Sequence, residues 1–246
     1  MGTYFIIIKS TVEYLQHIND LSDKDESGGM MIFRGHNDSN WKLLPLLARN
    51  TKFVKDYEDW QVCEQETLNT FKKYAIQFMD KEPRNEIEWL ILARHHGFPT
   101  RLLDWTTNPL KALFFAVDDD SLKNDSAVWA VSHTTWHEDI NNLDKINSLT
   151  IYYPDKTNKR LIAQEGCFII PPFPKSTDDM IPIEEQIETN TDVGALIKFM
   201  IPCKQRSMIK AELDQLGINH HTLFPDLDGL VKYLKWKMNF TVRGIS

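Results

Sequence analysis

The sequence HHGFPTRLLDWTTNPLKALFFA, residues 95–116, combines polar groups and apolar residues more densely than any other part of the chain. Gly97 ends the helix that precedes it, since glycine is the usual residue just after a helix C-terminus. Thr107 or Asn108 caps the next helix, with Pro109 at its first position. Thr100 to Trp105 are therefore expected to cross the interior in a fixed, non-helical conformation.

Two charged residues, Arg101 and Asp104, fall within this crossing. Charged side chains are seldom buried unless they are paired or functional. Either the pair belongs to a site, or it forms an internal network with Thr100 that holds the loop. The second interpretation is favoured, so Arg101 and Asp104 are predicted to act as a structural clamp. His96 and Thr100, which flank the turn, are the ligand-facing candidates.

The composition describes a chain of 246 residues with 42% hydrophobic residues, enough for one large domain. A net charge of −7 argues against a nucleic-acid partner, because phosphate binding needs a basic face. The three cysteines are too widely spaced for a disulfide framework, which favours a reducing cytoplasm. The apolar run Tyr4–Ile8 is too short for a signal peptide or a membrane span, so a cytoplasmic protein with no membrane partner is expected.

The periodicity of apolar residues predicts strands and helices in mixed order. The predicted strands are Thr3–Lys9, Met30–Gly35, Ala127–Ser132, Ile151–Tyr153, a strand from Gly166, Ala195–Pro202 and His221–Phe224. The predicted helices are Ser10–Leu21, Phe53–Met79, one from Asn85 or Glu86 to His96, Leu110–Val117, Gln205–Leu216 and Asp226–Met238. Thr177–Asp192 is predicted to be an acidic loop. This order favours an α+β fold with a split, mainly antiparallel mixed sheet and helices packed around it.

Two further groups of residues are candidates for chemistry. Arg34 ends a buried strand and is followed by Gly35, a pattern that suits recognition of a phosphate or carboxylate; the alternative is an arginine paired with a buried acid such as Asp104. Gln164 and Glu165 enter another buried strand, where an amide can hold a hydroxyl and a carboxylate can stabilise a cation. No motif indicates a metal site, so no metal is expected.

Three segments together resemble the FRG domain family, which is named for a Phe/Tyr-Arg-Gly tripeptide. They are IFRGHNDSNWKLLPLLAR (Ile32–Arg49), ARHHGFPTRLLDWTTNPLKALFFA (Ala93–Ala116) and RLIAQEGCFIIPP (Arg160–Pro172). The family commonly has Gln-His before the glycine of the second segment, where this chain has His95-His96. The resemblance implies one FRG-type domain over residues 1–246: a lead-in strand and helix (1–27), a motif-bearing core (28–172) and a closing part (173–246).

A remoter resemblance is to ADP-ribosyltransferase-like folds, in which three motifs occur in the same order as Arg34-Gly35, Thr100 and Gln164 or Glu165 here. By this resemblance NAD is the substrate. Arg34 would pair with a pyrophosphate or ribose oxygen, and the Gly35 backbone would hold the carboxamide. Gln164 or Glu165 would bind ribose hydroxyls and favour the oxocarbenium-like state. The Trp105 and Phe168 rings are candidates for stacking.

The resemblances leave different classes of function open. One is an NAD-dependent ADP-ribosyltransferase or NAD glycohydrolase, such as a bacterial toxin or anti-phage effector, with a protein acceptor or an antitoxin as its partner. Another is a non-catalytic module that senses a nucleotide or phosphate in the same cleft. A third is a protein-interaction domain in which the charged residues are purely structural.

Overall fold

The computed structural model describes residues 4–24, 29–49, 51–119, 121–140, 142–155, 158–187 and 193–242. Its described strands form one seven-stranded mixed sheet. They are β1 (Tyr4–Ile7), β2 (Met30–His36), β3 (Leu103–Thr106), β4 (Ser126–His133), β5 (Thr150–Tyr152), β6 (Gly166–Ile170) and β7 (Val193–Ile201). Their order across the sheet is β1-β7-β4-β2-β3-β6-β5. The α+β class and the mixed sheet are thus confirmed.

Helices cover both faces of the sheet. Their bounds are α1 (Thr11–Lys24), α2 (Thr51–Val54), α3 (Trp60–Ala75), α4 (Glu86–His95), α5 (Pro109–Val117), α6 (Lys159–Gln164), α7 (Ile183–Ile187), α8 (Arg206–Gln215), α9 (His220–Leu223) and α10 (Leu227–Val242). On one face, α1, α5 and α8 pack on β2, β4 and β7 around Phe33 and Phe199. Toward the β5 edge of the sheet, α3 and α4 pack on β6 around Phe168.

The strand pairing is shortest at the centre of the sheet, between β2 and β3. β2 pairs with β4 over its whole length, whereas it shares only the register pair Phe33–Thr106 with β3. β3 then pairs with β6 over all four of its residues. β2 runs antiparallel to both of its neighbours, β3 and β4. Among the described strands, β1 and β7 are the one adjacent pair that runs parallel. The sheet is continuous, so the predicted split is a local opening on the His36 side of this pair.

Caps explain where the central helices begin and end. The side chain of Asn85 accepts from the Glu88 amide and starts α4, and Gly97 stops it with a φ of 81°. The Asn108 side chain accepts from the first amides of α5, and Pro109 opens that helix. The crossing between them is non-helical, as predicted, and it contains β3, a strand that the sequence analysis did not predict.

Three predicted elements are wrong in kind or length. His221–Phe224 is not a strand: the Asn219 and Thr222 side chains form a capping box that starts α9. Residues 177–187 include α7, which packs Ile183 and Ile187 into the core. The long helix predicted from Phe53 is interrupted, because the Asp59 side chain caps a new helix, α3. Thr3, at the start of one predicted strand, and residues 188–192 lie outside the described residues.

Within the described ranges, no helix combines the length and apolar character needed to cross a lipid bilayer.

Candidate functional site

A cleft of about 370 Å³ lies where β2 and β3 separate. Its walls come from β2 and β3, the C-terminal end of α4, α5, α6 with its N-cap, and β6. The side chains that line it are those of Phe33, Arg34, Asn37, Ile91, Arg94, His95, Asp104, Trp105, Thr106, Phe115, Asn158, Arg160, Leu161, Gln164 and Phe168, together with Gly35 and Gly97. Cavities of this size hold small-molecule ligands.

Arg34 bridges the opening between the two strands. Its Nη1 donates to the main-chain carbonyl of Asp104 and lies 3.7 Å from that residue's carboxylate. Its Nε donates to Nε2 of His36, at 3.2 Å. Burial lowers the pKa of Arg34 to about 10, which leaves it charged at neutral pH. The guanidinium thus satisfies a carbonyl that β2 does not pair, and Arg34 is tied to Asp104 as the structural alternative predicted.

The two flanking residues of the tripeptide are needed for packing. Phe33 is 2% exposed and belongs to the core beneath α5. At Gly35 a Cβ atom would lie 2.1 Å from the carbonyl oxygen of Ala112 and 2.5 Å from the amide nitrogen of Ala116, both in α5. No side chain fits in that space. Gly35 lines the cleft, but close packing of the helix already accounts for its lack of a side chain.

Asp104 is held mainly by Arg94, from the last turn of α4. Its Oδ2 accepts from Nε and Nη2 of Arg94, at 2.9 and 2.5 Å. The Asp104 side chain is 45% exposed. A carboxylate gripped by two guanidinium groups therefore faces the cleft.

Two more arginines add positive charge beside this pair. Arg160 lines the cleft, and its guanidinium lies 4.3 Å above the ring of Phe224. Burial lowers the pKa of Arg160; the carboxylates of Asp226 and Asp104 oppose this shift, and the nearby Arg94 adds to it. Arg49 has its pKa lowered by burial and then by Arg94. Such mutual repulsion indicates that positive charge is concentrated here.

His95, and not His96, lines the cleft. His95 lies one turn after Ile91 on the cleft side of α4, whereas His96 is the exposed residue that follows the helix. Nδ1 of His95 lies 3.3 Å from Nδ2 of Asn158, which can only donate, so the imidazole proton is assigned to Nε2. Burial lowers the pKa of His95 and favours this neutral form. The structure therefore places His95 in the cleft and the predicted His96 outside it.

Gln164 lines the cleft and Glu165 does not. Nε2 of Gln164 donates to the carbonyl of Leu223, which fixes the orientation of the amide. Glu165 ends α6 in a left-handed conformation, and its carboxylate accepts from Lys111 at 2.7 Å and from Asn108 at 3.3 Å. The Glu165 carboxylate, predicted to be catalytic, therefore links the end of α6 to the start of α5.

The predicted clamp between Arg101 and Asp104 does not form. Arg101 pairs with Glu64 at 3.0 Å, and both side chains are at most 7% exposed. Three residues apart in an extended chain, Arg101 and Asp104 project to opposite sides. Thr100 is fully buried outside the cleft, so its predicted contact with a ligand is not supported by its position.

Trp105 and Phe168 both line the cleft, and each is 3% exposed. Trp105 packs with Trp129 in one core cluster, and Phe168 packs beneath α4 in another. Because so little of the Trp105 and Phe168 side chains is exposed, each can contact part of a ligand ring but cannot stack over its whole face.

Among the lining residues that the sequence analysis did not select, three have basic side chains: Arg94, His95 and Arg160. Ile91, Arg94 and His95 have the i, i+3, i+4 spacing of one helix face. This helical spacing is the sequence signal that could have identified Arg94 and His95. Arg160 carried no comparable local signal.

The fold and the site together define an α+β protein with an arginine-rich cleft at an opening in its sheet. Residues 29–125 match the family model of the FRG domain, so this part of the chain is similar to that family. The match includes β2, α4, β3 and α5, and it ends before the third segment, Arg160–Pro172. Neither a curated protein nor a solved structure matches the chain.

Proposed function

We propose that the cleft binds an anionic, nucleotide-like small molecule, with NAD as the first candidate. One observation carries this proposal: Arg34, Arg94 and Arg160 line a single cleft in which Asp104 is the only acid among the described lining residues. Three guanidinium groups facing one carboxylate leave an excess of positive charge. That excess stands out in a chain whose net charge is −7.

Phosphate groups are the anions that best suit this arrangement. The planar guanidinium group donates two parallel hydrogen bonds to a phosphate, and its charge survives burial. Apolar side chains from Ile91, Phe115 and Leu161 line the same cleft and can cover a base or a sugar. A volume of about 370 Å³ suits a mononucleotide or one half of a dinucleotide.

NAD is preferred because Arg34 and Gln164 line the same cleft although 130 positions separate them. They are two of the residues by which the chain resembles ADP-ribosyltransferase-like folds. In this proposal the arginines hold the phosphates and the Gln164 amide contacts a ribose hydroxyl. The displacement of Glu165, His96 and Thr100 from the cleft favours binding over transfer chemistry.

A titration of the purified chain with NAD, ADP-ribose and AMP tests the proposal. Binding raises the melting temperature with ligand concentration, as RT ln(1 + [L]/Kd) requires. Arg160→Gln removes one charged donor and should weaken binding by roughly tenfold. The matched control is Arg84→Gln, since Arg84 is an exposed arginine that does not line the cleft. If no phosphate-bearing ligand stabilises the chain at millimolar concentration, the proposal fails.

A second candidate function is cleavage of NAD, and the position of Asp104 favours it. The partly exposed carboxylate of Asp104 lines the same cleft as Gln164 and can stabilise a developing oxocarbenium ion. The N-glycosidic bond breaks, nicotinamide leaves, and a water or an acceptor nucleophile bonds to C1′ and loses a proton. A role as a bacterial toxin or an anti-phage effector depends on this cleavage of NAD. Its partner would then be a protein acceptor or an antitoxin.

Release of free nicotinamide from NAD measures this second function directly. Asp104→Asn should remove turnover while NAD-dependent stabilisation is kept or increased. An inactive wild-type protein that still binds NAD would support the sensing module and exclude the enzyme. Nicotinamide release that persists in Asp104→Asn would contradict the role given to this carboxylate.

A further inference from the structure

The outer face of α10 carries an exposed apolar stripe that is separate from the cleft. Its members are Leu227, Val231, Leu234 and Met238, with exposed fractions of 78%, 45%, 49% and 68%. Their spacing of i, i+4, i+7 and i+11 keeps them within one narrow face of a helix with about 3.6 residues per turn. Alternating steps of four and three are the spacing by which one helix packs along another.

The stripe points away from the protein body. The inner face of α10 is formed by Gly229, Leu230, Tyr233 and Trp236, which are less exposed than the stripe. At Gly229 a Cβ atom would lie 2.0 Å from the carbonyl oxygen of Phe224, so this face is in close contact with the preceding segment. A partner helix that packs along the stripe would therefore not clash with the rest of the protein.

Charged residues on one flank of the stripe determine which partner fits. Asp228 and Lys235 are both exposed, seven residues apart, and project to the same side. In the described part of the chain, neither has an ion-pair partner. When two such helices pack antiparallel about a two-fold axis, Leu227 meets Met238, Val231 meets Leu234, and each Asp228 lies beside the Lys235 of the other copy. A parallel arrangement brings no such opposite charges together.

We propose that α10 forms a two-fold, antiparallel contact with α10 of a second copy of this chain. The stripe is complementary to itself in both shape and charge, as a two-fold contact requires. The contact spans only about three turns, so it is small beside the roughly 1,200–2,000 Å² of a stable interface. The dimer is therefore expected to dissociate at micromolar concentrations.

Sedimentation equilibrium of the full chain, from low micromolar to several hundred micromolar, tests the proposal. The wild type should dimerise reversibly, and Leu234→Glu should raise the dissociation constant by more than tenfold. Ile76→Glu is the matched control, because Ile76 is a similarly exposed residue at the end of α3. Circular dichroism checks that each variant is folded.

Exchange of the flanking charges tests the antiparallel register. Asp228→Lys and Lys235→Asp should each weaken self-association several-fold by placing like charges together. An equimolar mixture of the two variants should associate again, because each copy then offers the charges that the other needs.

Three results would overturn the proposal. They are a monomeric wild type at every concentration, a mixture that associates no better than its components, and binding of the monomer to anionic vesicles that Leu234→Glu abolishes. The last would assign the stripe to a lipid surface.

Discussion

Two arginine–carboxylate pairs lie on opposite sides of the same short crossing, and they differ in how closed they are. Arg101 and Glu64 pair at 3.0 Å with side chains 3% and 7% exposed. Arg94 and Asp104 pair at 2.5 Å with side chains 23% and 45% exposed. In the first pair, Glu64 also accepts from the Arg101 amide, and Arg101 donates to the carbonyl of Leu143 and lies against Phe173.

The difference shows that a charged pair indicates a site only when part of it still faces open space. The pair of Arg101 with Glu64 joins α3 to the crossing and is sealed from solvent, so its role is structural. The pair of Arg94 with Asp104 has comparable chemistry but lines a cleft. The four predictions that follow compare closed with open positions around the crossing and the cleft, from the largest expected effect to the smallest.

Breaking the sealed pair should give the largest loss of stability. Arg101→Met leaves the Glu64 carboxylate buried without its partner, which costs about 3–5 kcal/mol of unfolding free energy. Arg94→Gln, at the open pair, should cost about 1 kcal/mol or less, because water can solvate Asp104. Urea denaturation of both variants measures the difference. Similar losses for the two would show that the pairs are equivalent after all.

The two glycines that line the cleft should differ in how well they tolerate a side chain. Gly35→Ala forces a methyl group into the backbone of α5 and should cost about 3 kcal/mol. Gly97→Ala meets nothing within 4 Å and bears only the strain of a φ of 81°, about 1 kcal/mol. Thermal and urea unfolding of the two variants provide the comparison. A Gly35→Ala protein as stable as Gly97→Ala would mean that α5 can move away.

Neutralising the open carboxylate should tighten binding of an anion. Asp104→Asn removes the negative charge beside Arg34 and Arg94, and a unit charge near 4 Å is worth about 1 kcal/mol in a water-like medium. Affinity for ADP-ribose should therefore rise about fivefold in isothermal titration. Glu64→Gln serves as the comparison at the sealed pair, where affinity should not change. Weaker binding by Asp104→Asn would instead assign Asp104 a direct contact with the ligand.

The smallest expected effect is an opposite response of two glutamates to pH. Burial raises the pKa of Glu64 above its ordinary 4.5, so its contribution to stability is present below pH 4.5 and declines as the pH rises through the raised value. The hydrogen bond from Lys111 lowers the pKa of Glu165, so its contribution is present above pH 4.5 and is lost as the pH falls. Carbon-13 NMR titration of both carboxyl groups measures the midpoints. Two midpoints on the same side of 4.5 would contradict this.

Local rules predicted the helix boundaries around the crossing, because caps depend on residues close in sequence. Asn85, Gly97 and Asn108 all act where those rules place them. The sequence analysis predicted a strand at 221–224, but the capping box of Asn219 and Thr222 starts a helix there. Local chemistry at a helix start outweighed strand propensity over so short a segment.

The site could be predicted only in part, because its contacts span long distances in sequence. Arg34 and Gln164 line the cleft, as a charged or polar residue at the end of a buried strand suggested. The partner of Arg101 is Glu64, which lies 37 residues away on another helix. Only the packing of α3 brings that carboxylate to the crossing, and no local spacing encodes it.

The two walls of the cleft have different freedom to change. One wall, with Arg34 and Asp104, lies inside the FRG match at residues 29–125, where Gly35 ties β2 to α5. The other wall, with Arg160 and Gln164, lies beyond that match and comes from α6. In the proposed function, replacing α6 by a different six-residue helix would change which ligand the cleft binds and leave the packing of Gly35 against α5 unchanged. The proposed binding site therefore has one half fixed by the packing of β2 on α5 and a second half, on α6, that protein engineering can exchange.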